Sequence, residues 1–179
     1  MNHNDHVDLI KPAFIDENPN ASFADFGAGS GAFTLALREV LGESATIYAV
    51  DKDKSSLREL ENSYATRFHS TTNLTTIQAD FSKTLTLPPL DGILMANLLH
   101  FFKDRVKVLQ HVKSFLKPNG KLIIVEYNVD KGNIWVPYPF SFATFGKLTK
   151  EAGFAKPQLL ATHSSRFLNG FYSAITYTK

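Results

Sequence analysis

The stretch Asp25-Phe-Gly-Ala-Gly-Ser-Gly31 places an acid and three alternating glycines where an apolar run, 22–26, gives way to a helical one, 32–41. A turn stripped of Cβ atoms lets its backbone approach a ligand closely, and the free N–H groups of the helix start point into the space above it. That chemistry suits a nucleotide or nucleoside. Asp51 closes the next strand, where a carboxylate can accept hydrogen bonds from both hydroxyls of a ribose. Asp80, in Gln78-Ala-Asp-Phe81, is placed to accept from the exocyclic amine of adenine, with Phe81 near the ring. Asn97 with His100, and Glu126 with Tyr127, stand at the two following strand ends. Each acid also has a plain reading, as a partly buried cap for the helix that follows it.

The elements that must position these groups alternate between strand-like and helix-like patterns, the signature of a mainly parallel sheet flanked by helices. Strands are predicted at 22–26, 45–50, 74–78, 91–96 and 120–127, and helices at 32–41, 54–68, 103–116 and about 142–152. Gly42, Pro88-Pro89, Pro118-Asn-Gly120 and Gly153 punctuate them. Pro157–His163 and Phe171–Thr178 leave no room for a crossover helix, so they are expected to pair as an antiparallel hairpin around Asn169-Gly170. Val7–Ile15 contains Pro12 and reads as a short broken helix over the ligand side.

Composition bounds the rest. The 179 residues fit one domain, and their 44% apolar content can fill a core on both faces of a sheet. The formal charge of +2, with no basic block, gives no electrostatic argument for nucleic acid. The absence of cysteine excludes disulfides, thiolate metal sites and a cysteine nucleophile. The polar start and the short apolar runs lead us to expect a cytoplasmic protein with no membrane partner.

These motifs, in this order and over nearly the whole chain, resemble the class I S-adenosylmethionine-dependent methyltransferases. Residues 25–31 look like that family's first motif, Asp51 like its ribose-binding acid, and Ala79-Asp-Phe81 like its adenine-side motif. Asp91–His100, Leu116–Val125 and Glu151-Ala-Gly-Phe154 are similar to its fourth strand, its entry to strand five and its last helix end. The resemblance implies a Rossmann-like three-layer α/β sandwich, with a mainly parallel sheet of order 3-2-1-4-5-7-6 ending in an antiparallel hairpin. Residues 1–179 would form one domain, with 1–21 as a helical segment over the cofactor side. It further implies S-adenosyl-L-methionine as cofactor, contacted by Asp25, Gly27, Ala28, Gly29, Gly31, Asp51, Lys52, Asp80, Phe81, Asn97 and Leu98. Asp25 would hold the ammonium of its amino-acid end, directly or through water.

A methyl group on a sulfonium is already activated, so alignment and water exclusion carry most of the catalysis. Where a base is needed, His100 is the first candidate and Tyr127 the second; both also read as packing residues. Trp135, Tyr138 and Phe140, in the loop after strand five, are expected to bind a small, partly apolar acceptor, or simply to pack against the last helix. Ala96-Asn-Leu-Leu-His100 lacks the Asn/Asp-Pro-Pro-aromatic motif of adenine and glutamine amino-methylases. Few acids lie near the exit of strand four, so no metal is expected.

Two other function classes remain open at this level. One is a non-catalytic S-adenosylmethionine-binding module, whose pocket a homodimer partner would help to close. The other is a nicotinamide oxidoreductase, since Gly27-x-Gly29-x-x-Ala32 with Asp51 also fits the relaxed dinucleotide pattern. Against it, Asp25 would put negative charge beside a pyrophosphate.

Overall fold

Helix α1 (His3–Ile10), with a 3-10 turn over Lys11–Phe14, leads into β1 (Ser22–Phe26), α2 (Ala32–Leu41), β2 (Thr46–Asp51), α3 (Lys54–Phe68) and β3 (Leu74–Gln78). Then come β4 (Leu90–Ala96), a 3-10 turn at Leu99–Phe101, α4 (Arg105–Lys113), β5 (Leu116–Tyr127), α5 (Phe142–Ala152), β6 (Gln158–His163) and β7 (Phe171–Tyr177). These elements belong to a computed structural model that describes every residue except 16, 17, 166, 167 and 169.

The seven strands form one sheet in the order β3-β2-β1-β4-β5-β7-β6. The pairs among β1 to β5 are parallel, whereas β7 runs antiparallel to both β5 and β6. This is the expected topology, and its physical origin is legible in β5. Leu122 and Ile124 point to one face and Ile123 and Val125 to the other, and all four are fully buried, as in a strand covered on both sides. One face packs on α1 and α2 through Leu9, Ile10, Phe33 and Leu37. The other packs on α4 and α5 through Leu109, Val112, Phe145 and Ala152. Helix α3 closes its own cluster with Leu57, Leu60 and Tyr64.

The local differences from expectation have local causes. Helix α4 is shorter than 103–116 because Asp104 caps it, accepting the Lys107 N–H, and because Ser114 N–H turns back early to the His111 carbonyl. Strand β5 begins at Leu116 rather than 120, since Leu116 pairs with Leu90 across an irregularity before Gly92. Helix α1 starts at His3 instead of Val7, because Asn2 and Asp5 form a reciprocal capping box. The expected Asn169-Gly170 turn falls partly outside the described residues, since Asn169 is one of the five. Among the described residues no helix is long and apolar enough to cross a membrane.

Candidate functional site

All parallel strands end on the same edge of the sheet, and between β1 and β4 the chain order reverses, which opens a crevice there. The glycine loop forms its floor. Gly27 and Ala28 donate their N–H groups to the Val50 carbonyl, and Gly27 holds a φ of +72°. A Cβ at Gly27 would stand 2.7 Å from Leu98 Cδ1 at a left-handed φ, so any other residue here would strain the backbone and push the Leu98 side chain aside. Gly31, at φ +94°, is also tight, but a Cβ there would meet Leu60 Cγ at 2.6 Å. Its role is helix packing; it lines neither cavity described next.

Two adjoining cavities occupy the crevice. The larger, about 540 Å³, is lined by Asp51, Lys52, Asp80, Phe81 and Leu98 among others. The smaller, about 220 Å³, is lined by Asp25, Ala28, Gly29 and the α2 start. Gly27 and Asn97 line both. Ten of the eleven predicted cofactor residues therefore meet here, Gly31 being the exception.

The polar groups are placed with capacity to spare. Asp51 Oδ2 accepts the Gly29 N–H at 2.8 Å and Oδ1 the Asp53 N–H at 2.9 Å. A carboxylate has about four acceptor positions, so about two remain for the hydroxyls of a diol. Asp80 Oδ1 accepts from the Ser82 hydroxyl at 2.6 Å and its N–H at 3.1 Å, with Lys83 Nζ 3.8 Å from Oδ2. The Ser82 hydroxyl above all holds the Asp80 carboxyl below the usual range. Phe81 is buried, stacked on Phe26 and edge-on to Phe102, which gives the larger cavity an apolar wall. Asn97 sits at φ +52° with its N–H on the Val125 carbonyl, and its buried Oδ1 has no partner among the described residues. A buried acceptor left open beside two cavities fits a ligand that brings a donor.

Asp25 is 1% exposed and accepts the Thr34 hydroxyl at 2.6 Å. Burial pushes its carboxyl up to about 7, against the lowering effect of Thr34 and with a smaller push from the Asp51 charge. A cation delivered to this cavity would stabilise the ionised form.

His100 is 3% exposed, with Nδ1 2.7 Å from Glu126 Oε2. The other oxygen of Glu126 accepts the N–H groups of Leu98, Leu99 and His100 at 3.1, 2.9 and 3.3 Å. Glu126, itself fully buried, thus organises the entire turn after β4. In the sequence it stands out only as an acid ending the apolar run Leu122–Val125, and such an acid must find partners in the fold. Tyr127 packs on Phe171 with ring centroids 4.4 Å apart. Burial, then the Glu126 charge, raises its phenol, which disfavours the phenolate. Neither His100 nor Tyr127 lines either cavity.

The three predicted acceptor-binding aromatics part company. Trp135 is 75% exposed and Tyr138 40%, whereas Phe140 is fully buried against Phe145 and Tyr172 and belongs to the core. None of them lines the cavities. Their loop is tied down: Tyr138 N–H donates to the His100 carbonyl at 3.0 Å, and Arg105 donates to the Tyr138 carbonyl at 2.6 Å. His6, a residue that no sequence motif singles out, lies in α1 and lines the smaller cavity. Among the described residues no cluster of His, Asp and Glu has the makings of a metal site.

A family model described as a methyltransferase domain matches residues 17–162. Among curated proteins, a hybrid PKS-NRPS synthetase of Aspergillus flavus is 28% identical over 121 residues, covering 64% of this chain and 3% of that protein. A reducing polyketide synthase of a Penicillium species is 21% identical over 168 residues, covering 82% of this chain and 7% of that one. The chain thus spans a small fraction of these relatives. Magnesium protoporphyrin IX methyltransferase of Synechocystis, solved with bound SAH, has a similar fold, with a TM-score of 0.76 at 15% identity over 99% of this chain and 84% of that one. A SAM-dependent methyltransferase of Aquifex aeolicus follows at 0.69 and 19%, over 99% and 97%. With the family model covering most of its length, the chain belongs to the class I, S-adenosylmethionine-dependent methyltransferases.

Proposed function

We propose that this chain transfers a methyl group from S-adenosyl-L-methionine to a small-molecule acceptor, with residues 1–179 as one domain and 1–21 over the cofactor side. The observation that carries the reading is the pair of joined cavities over Gly27 and Asn97, with carboxylates at separate points along them. When bound, the cofactor supplies a methyl group on a positively charged sulfur. The residues supply alignment and keep water out. Asp51 takes the ribose hydroxyls, Phe81 and Leu98 flank the adenine with Asp80 at its amine, and Asp25 takes the ammonium. Lys52, Ala28 and Gly29 complete the walls.

His100 is the base of this reading. A neutral ring that donates its Nδ1–H to Glu126 keeps a lone pair on Nε2, and Glu126 fixes the ring's orientation. The acceptor enters beside Phe101, which lines the larger cavity, and meets the exposed apolar surfaces of Trp135 and Tyr138. It is a small, partly apolar molecule methylated on oxygen, nitrogen or carbon. The polyketide synthases among its relatives add oxygenated carbon chains to the panel worth testing. The same reading puts the domain in the cytoplasm, without metal or nucleic acid, and pairs it with a second copy through the exposed Ile134 and Trp135.

Calorimetry with S-adenosylhomocysteine, followed by radiolabelled methyl transfer into fractionated small-molecule extract, tests it. Micromolar binding and one labelled fraction are expected; no binding refutes the reading. Because His100 and Tyr127 line neither cavity, a second reading keeps the cofactor but not the chemistry: a binding module, favoured by tight binding with no labelled product in any fraction.

A further inference from the structure

Helix α1 is held firmly against the sheet. Its capping box fixes where it starts, Leu9 and Ile10 are buried at 2% and 0%, and Ser173 of β7 donates its hydroxyl to the Leu9 carbonyl at 2.5 Å. At its other end His3 Nε2 meets Glu39 Oε2 of α2 at 2.7 Å. His6 precedes Leu9 and Ile10 by one helical turn, so helical spacing puts it on the face that the two anchors turn toward the protein. Its ring rests on Phe33, near the start of α2, with centroids 4.7 Å apart, and borders the smaller cavity together with the glycine loop.

That cavity has a simple charge pattern. Among its described lining residues, Asp25 is the only acid and His6 the only side chain able to carry a positive charge. The rest of the polar lining is Ser30, Asn97 and the main chain of the glycine loop. An amino-acid zwitterion presents an ammonium and a carboxylate on one carbon, and an acid plus an imidazole on the walls of one small cavity complement it. A neutral imidazole keeps one N–H, so the ring donates whether or not it is protonated.

We infer that His6 binds the carboxylate of the methionine end of the cofactor, with Asp25 at its ammonium, so that α1 completes the cofactor site rather than merely covering it. This rests on the cofactor reading above. The binding energy follows the partition of the two ends: His6 reads the carboxylate, and Asp25 reads the amine.

Two ligands that differ only in that carboxylate, S-adenosylmethionine and decarboxylated S-adenosylmethionine, test the assignment by calorimetry on the full chain. His6→Ala is expected to weaken S-adenosylmethionine by about tenfold or more, the usual worth of a hydrogen bond to a charged group. It is expected to leave the decarboxylated compound within about twofold. His6→Gln, which retains an N–H donor, restores part of the loss, and the melting temperature of each variant shows that α1 stays docked. An equal loss for both ligands makes His6 a packing residue and overturns the inference, as does no loss for either. If the unaltered chain binds neither ligand, the cofactor reading falls and this assignment with it, a result seen before any substitution is made.

Discussion

Glu126 and His100 lie 26 positions apart in sequence, yet their side chains meet at 2.7 Å in a fully buried pair that also carries the amides of Leu98 and Leu99. One carboxylate therefore sets both the ring and the turn that walls the crevice. Replacing it with an isosteric amide places an N–H2 against either three amide donors or the ring nitrogen. Glu126→Gln is expected to lose about 1–3 kcal/mol of stability, the cost of leaving buried donors unmet. Turnover should fall about 10–100-fold if the ring orientation matters to the step. Thermal melts and steady-state kinetics read the two effects separately, and an unchanged melt would refute the positioning role.

His100→Ala separates chemistry from binding. If the ring is the base, kcat drops while the calorimetric affinity for S-adenosylhomocysteine changes little, since His100 lines neither cavity. Equal loss in both would assign His100 to the shape of the turn alone.

Asp51 keeps about two acceptor positions open after serving Gly29 and Asp53. Asp51→Ala removes both the ligand contact and the brace on the loop, and each charged hydrogen bond is worth about 1.5–3 kcal/mol, so cofactor affinity should fall by about 100-fold or more. The circular dichroism spectrum should stay that of the parent. Retained micromolar binding would end the ribose assignment.

Through Asp25 alone, the apoprotein should lose stability as pH rises from about 4 to about 7. Asp25 has its carboxyl pushed up to about 7 from 3.8, chiefly by burial, so in this window the folded chain holds a proton that the unfolded chain has released. Stability then falls by at most about 1.4 kcal/mol per pH unit and levels off above the folded value. Asp25→Asn removes this component, so its melting temperature should exceed the parent's at pH 8 and converge on it near pH 4, while its affinity for S-adenosylmethionine falls. Parallel pH profiles for the two proteins would contradict the buried, uncompensated acid.

At Gly31 the backbone is left-handed and a Cβ would stand 2.6 Å from Leu60 Cγ, so Gly31→Ala should destabilise the chain by about 1–3 kcal/mol. Leu60→Ala in the same chain should show positive coupling by relieving the clash, which a double-mutant cycle on chemical denaturation measures. Strict additivity would mean that φ strain alone sets the cost.

The order of elements, the sheet edge carrying the acids and the glycine loop were all legible in the sequence, because strand alternation, helix caps and turn glycines act over a few residues. That ten of the eleven residues proposed to meet the cofactor line the two cavities was legible for the same reason: each sits at a strand end or in a turn whose place the local pattern defines. Contacts between distant segments decided the rest. Phe140 and Trp135 look alike as loop aromatics, but only packing against Phe145 and Tyr172 sends one into the core and leaves the other in solvent. Glu126 became the support of His100, and His6 the edge of the smaller cavity, because β5 lies beside β4 and α1 docks across α2. No short-range periodicity encodes those two neighbourhoods, for they arise only when hydrophobic faces far apart in the chain are buried together.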